Sequence, residues 1–170
     1  DLLFGLPMAW ILVKRDFKFK GLIDTLIDLP LVVPTAVLGI SIYYFWASES
    51  GVAWLLGLNG GLVSRGPVLI TLLHMVFTFP YMVRSIEAAV RQVNVNLEKA
   101  AQTLGAQSST RFRTISLPLF KDGVLTGFIL SLTRSLSETG ATMMVAGLTK
   151  TAPVIVVDFK GRGDLPQAAA

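Results

Sequence analysis

Nineteen consecutive residues, Leu29–Ala47, carry no charged side chain. A helix of that length covers roughly 28 Å at about 1.5 Å per residue, close to the hydrocarbon thickness of a bilayer. A second run, Gly66–Val83, also lacks Asp, Glu, Lys and Arg, and a third, Gly123–Leu148, is apolar around one polar cluster. Lipid leaves no solvent for unpaired backbone groups, so all three runs read as helices. Composition agrees: 15% of residues are charged and 52% are apolar, against roughly a quarter charged in soluble domains. The expectation is all-α: a polytopic transmembrane helical bundle forming a single domain over residues 1–170. Its spans are expected near 29–47, 66–83 and 123–148. Residues 2–13 are apolar but cover only roughly 18 Å, so they read as part of a span. Together with an end at Pro166–Ala170 that closes no element, this leads us to expect a fragment lacking at least one helix at the front.

Proline punctuates two runs. Pro30 and Pro34 lie near the start of the first, and Pro80 near the end of the second. Each removes a backbone donor. Pro30 fits a helix start; Pro80 is expected to kink its helix.

The net charge of +4 reflects clustered cations. No aromatic-interleaved basic patch is present, which argues against nucleic acid as a partner. The absence of cysteine excludes disulfides and thiolate metal sites. His74 is the single histidine; it has no partner at metal-ligand spacing and reads as a packing residue. Lys14, Arg15, Lys18 and Lys20 precede the first full span; Arg84, Arg91, Lys99, Arg111, Arg113 and Lys121 follow the second. Two spans separate these segments, so both lie on one side, and the positive-inside bias makes it cytoplasmic. The segments 48–65 and 149–170 then face outside, with Trp46 and Trp54 suited to the headgroup level.

Residues 84–121 form the larger cytoplasmic loop. Within it, 94–107 reads as a helix of about two turns, capped by Asn94 or Asn96 and ended by Gly105. A second short helix is expected from Ser108, Ser109 or Thr110, ending at Leu117-Pro118. Leu97, Leu104, Phe112, Ile115, Leu117 and Phe120 give this elbow an apolar content that calls for a covering surface. In the third run, Arg134, Ser137, Glu138, Thr139 and Thr142 are costly at membrane depth. Arg134 and Glu138 are spaced i,i+4 and can pair. Two readings stay open for them: a neutralised structural pair, or the lining of a translocation path.

The elbow resembles the EAA motif of ATP-binding-cassette importer permeases. That pattern is Glu-Ala-Ala, three residues, Gly, nine residues, Ile, one residue, Leu-Pro. Here Lys99-Ala100-Ala101 is followed by Gly105, Ile115 and Leu117-Pro118 at every spacing. Lys99 stands where the pattern has Glu. The adjacent Glu98 points about 100° around the helix from that position. The sequences Ser135–Gly147 (SLSETGATMMVAG) and Asp28–Pro34 (DLPLVVP) are similar to helices of the molybdate, tungstate and sulfate subgroup.

The resemblance implies a permease subunit of the type I importer kind, coupled through Glu98, Lys99, Ala100, Ala101, Gly105, Ile115, Leu117 and Pro118. It implies cytoplasmic ATPase subunits, a second permease subunit in a homodimer, an extracytoplasmic substrate-binding protein and a tetrahedral oxyanion as cargo. The chain has no GxxxxGK[ST] phosphate loop. ATP and Mg are therefore expected on the partner ATPase, with no cofactor here and no enzymatic activity of its own. The alternatives are a permease for phosphate, an amino acid or a sugar, or a membrane scaffold that recruits a cytoplasmic partner. An intramembrane enzyme using Glu138 and His74 is disfavoured, because no pair has nucleophile–base or metal-ligand spacing.

Overall fold

The computed structural model describes residues 1–57 and 63–163. Part of the expected outer loop and the Pro166–Ala170 end lie outside the described residues. The described chain contains helices joined by short connections: α1 (Leu2–Lys14), α2 (Lys20–Val32), α3 (Thr35–Trp46), α4 (Val52–Leu55), α5 (Pro67–Gln92), α6 (Val95–Thr103), α7 (Ser108–Arg111), α8 (Leu117–Ser137), α9 (Gly140–Val145) and α10 (Ala152–Gly161). The fold is all-α. By length and apolarity, α5 and the helical run Ser108–Ser137 can each cross a membrane.

The prolines act unequally. The uncharged run 29–47 is divided between α2 and α3, which bend by 112° at the intervening break. The cause is Pro34, which lacks an amide hydrogen and disfavours helix at Val33. Pro34 itself is extended, with φ −54° and ψ 132°. Pro30 lies inside α2 and does not start a helix. Pro80, expected to kink α5, sits within a helix of 26 residues that continues on both sides of it.

The residues pack as two compact units. The first comprises Asp1–Asp28 and Thr78–Leu132. Its core contains Leu12, Met82, Val83, Ile86, Val90 and Phe120. Trp10 packs edge-on against Phe112 at 5.0 Å and lies 5.9 Å from Phe120, joining α1 to the elbow.

The second comprises Leu29–Phe77 and the residues from Thr133 on. Its core contains Leu69, Leu73, Phe77, Ala141 and Val145. Here α3 lies against α9, and Gly39 makes the contact possible. A Cβ at that position would stand 2.7 Å from the Ala141 carbonyl oxygen. Along α8, Leu125, Phe128, Ile129, Leu132 and Leu136 are exposed, an apolar surface suited to lipid or another hydrophobic helix.

Candidate functional site

The elbow is built from local capping rules. The Asn94 side chain accepts a hydrogen bond from the Asn96 N–H at 2.9 Å and starts α6. Leu104 caps the other end. Gly105 then takes φ +83°, the left-handed conformation that costs glycine least. The Ala106 N–H returns to the Ala101 carbonyl at 3.0 Å.

The second helix does not end at Leu117-Pro118. A π-helical turn, Phe112–Ser116, connects α7 to α8, and the Leu117 N–H bonds the Phe112 carbonyl. The wider turn explains how the helix passes Pro118. It relieves the crowding between a proline ring and the carbonyl four residues earlier.

The motif residues divide by exposure. Lys99, Ala100, Gly105 and Pro118 are exposed; Ala101, Ile115 and Leu117 are half-buried. Leu104, beside Gly105, is 88% exposed. Glu98 turns inward, where Lys14 donates to it at 2.7 Å and Ser116 at 2.8 Å. Burial pushes the Glu98 carboxyl up, but the Lys14 and Ser116 hydrogen bonds and the Lys14 charge outweigh it. The net result lies below the ordinary value of 4.5. The offset between Glu98 and Lys99 thus separates an inward-facing acid from an outward-facing base.

The polar cluster of the third run coincides with a helix break. α8 ends at Ser137 and α9 begins at Gly140. Glu138, 4% exposed, pairs with Arg134 at 2.8 Å and accepts the Ala141 N–H at 2.9 Å. It thereby supplies an acceptor for a backbone donor that the start of α9 leaves unpaired. Thr142 is fully buried, donates to the Glu138 carbonyl at 3.2 Å and lies 2.9 Å from His74 Nε2. His74 Nδ1 is 2.6 Å from the Ser135 hydroxyl. His74 therefore bridges α8 and α9 rather than merely filling space. Ser137 is exposed and donates to the Arg134 carbonyl at 3.0 Å. Thr139 is half-buried and makes no side-chain capping bond.

Sequence reading missed a second charge cluster in the first unit. Arg84 bonds Asp28 through two nitrogens at 2.9 and 2.8 Å, and Asp24 and Glu87 at 2.6 Å each. Arg91 bonds Glu87 at 2.5 Å. The available signal was periodicity: Asp24 and Asp28 share one face of α2, as Arg84, Glu87 and Arg91 share one face of α5.

Residues 1–160 match the family described as binding-protein-dependent transport system inner membrane component. The chain belongs to this family. This transport-system membrane component is 34% identical over 157 residues to the molybdate/tungstate transport system permease protein WtpB of Methanocaldococcus jannaschii, covering 92% of this chain and 61% of that protein. It is 38% identical over 171 residues to the molybdenum transport system permease protein ModB of Haemophilus influenzae, covering 94% and 73%. With the sulfate transport system permease protein CysT of Salmonella typhimurium it shares 35% identity over 151 residues, covering 85% and 52%. The chain thus spans roughly half to three quarters of these relatives' lengths. As an inner-membrane transport component with long apolar helices, it resides in the cell membrane as a multi-pass protein.

Proposed function

We propose that this chain is the permease subunit of an ATP-driven importer for a tetrahedral oxyanion: molybdate, tungstate or sulfate. The names of its relatives support that cargo class. The observation that carries the coupling role is the elbow. Glu98 anchors it inward, while Leu104, Ala100 and Gly105 form a small apolar surface facing out. Such a knob suits a groove on a separate cytoplasmic ATPase. ATP binding and hydrolysis, with Mg, belong to that partner. Closure of the ATPase pair would move the elbow and, through Lys14 and the π-turn, the helices joined to it.

In the polar break, Glu138 and Thr142 hold the backbone in its interrupted form. Arg134 and Ser137 are the groups that face the translocation path, a cation and a hydroxyl suited to an oxyanion. A second permease subunit completes the path, and an extracytoplasmic binding protein delivers the cargo. The test is uptake of labelled molybdate, tungstate and sulfate by the complete transporter. Saturable, ATP-dependent uptake of one of them is expected; uptake of a sugar or peptide instead would reject the oxyanion reading.

A further inference from the structure

Between α1 and the elbow lies a cleft of about 650 Å³ within the first unit, inside the ~300–1,000 Å³ range of small-ligand pockets. Its chemistry is graded. Leu6, Pro7, Trp10 and Phe112 form an apolar wall, and Lys14, Arg15 and Arg111 bring positive charge. Along α1 the apolar residues come first and the cations follow at its end.

Among the described residues the only carboxylate in the lining is Glu98, and it is engaged by Lys14 and Ser116. Three cations therefore face one anion. Arg15 and Arg111 form no ion pair among the described residues. The terminal nitrogens of Arg111 bond two neutral oxygens, of Gln102 and Ser108, at 3.0 Å each. Its Nε is buried without an acceptor. The cleft thus has an excess of cationic donors beside an apolar wall, and these two features suit the two ends of an anionic phospholipid.

We propose that this cleft holds the head group of an anionic phospholipid. Arg15 and Arg111 meet its phosphate, and Leu6, Trp10 and Phe112 meet the start of its acyl chains. A free phosphate would find the same charges but would leave the apolar wall uncovered. The proposal rests on the placement of the elbow at the membrane surface, as in the transport reading.

The test uses the full-length protein in nanodiscs of phosphatidylcholine and phosphatidylglycerol in equal amounts. Native mass spectrometry after detergent extraction counts the retained lipid. Phosphatidylglycerol should be retained preferentially, and Arg15→Ala and Arg111→Ala should each lower its retention about fivefold. The Arg15 side chain makes no hydrogen bond or ion pair among the described residues, so its truncation spares the fold; Arg111→Lys, which keeps the charge, should retain the lipid. Equal retention of both lipids, or unchanged retention in both alanine variants, overturns the proposal. Displacement by inorganic phosphate at fixed ionic strength would identify a soluble anion and overturn the lipid assignment. Labelling of Leu104→Cys reads the elbow's placement separately. Labelling only from outside overturns that placement, whereas unchanged retention overturns the head-group site alone.

Discussion

Lys14 Nζ stands 2.7 Å from Glu98 Oε2, a contact between residues 84 positions apart. It ties the elbow to the end of α1, and Ser116 brings the start of α8 to the same carboxylate. The Glu98 carboxyl lies below its ordinary value of 4.5. The folded value is depressed, so the stabilisation is present above the unfolded value and is lost as pH falls through the folded one. The anchor is therefore intact at neutral pH and releases only in acid below 4.5. Glu98→Ala should cost about 1–3 kcal/mol locally, because two donors lose their acceptor. Amide hydrogen exchange across α6 at pH 7 should accelerate about tenfold or more. Unchanged exchange would show that the pair does not hold the elbow.

Gly105 has φ +83° and nothing within 4 Å of the position a Cβ would take. Substitution there strains the backbone without an intrachain clash. Gly105→Val should destabilise the turn by about 1–2 kcal/mol and reorient Leu104, which it follows directly. Uptake per ATP hydrolysed should fall while the spans remain folded. A mutant with normal uptake per ATP would remove this turn from the coupling role.

Gly39 makes a different demand. A Cβ there would meet the Ala141 carbonyl oxygen at 2.7 Å and the Ala141 Cα at 2.9 Å. Both atoms belong to the backbone and cannot rotate away. Gly39→Ala should cost about 1–3 kcal/mol through overpacking, whereas Gly21→Ala, with nothing within 4 Å, should be near neutral. Thermal unfolding of the two variants decides this, and equal midpoints would contradict the close α3–α9 contact.

These predictions draw unequally on what the sequence made legible. The helical class followed from uncharged length alone, because a bilayer interior admits few backbone solutions. The turn at Gly105 followed from capping chemistry, which is local. The division of the run 29–47 did not follow from hydropathy, which carries no information about the extended Val33–Pro34 step. The passage of the helix beyond Leu117-Pro118 was hidden for a related reason: a π-turn lets a helix continue through a proline that the usual rule treats as a stop. Arg84, Asp24 and Asp28 were legible as helix faces, but their meeting depends on tertiary packing. Glu98 illustrates the same limit. Its offset from the motif position was visible, whereas its inward partner, Lys14, was set by the packing of α1.

Arg134 and Glu138 give the sharpest separation between stability and transport. Glu138 is buried and serves both the Arg134 guanidinium and the Ala141 N–H. Glu138→Ala should cost about 1–3 kcal/mol, because the half-buried Arg134 guanidinium loses its partner and the Ala141 N–H its acceptor. It also opens the start of α9. Glu138→Gln keeps an acceptor for the Ala141 N–H and should cost less. The double variant Arg134→Met, Glu138→Gln removes both charges and should be more stable than Glu138→Ala, since an absent pair is less costly than a broken one. Oxyanion uptake should nevertheless be lost in that double variant, because the cation proposed to face the path is gone. Thermal unfolding and labelled molybdate uptake measured on the same preparations separate the two effects. A stable double variant that transports at the wild-type rate would make Arg134–Glu138 a purely structural pair.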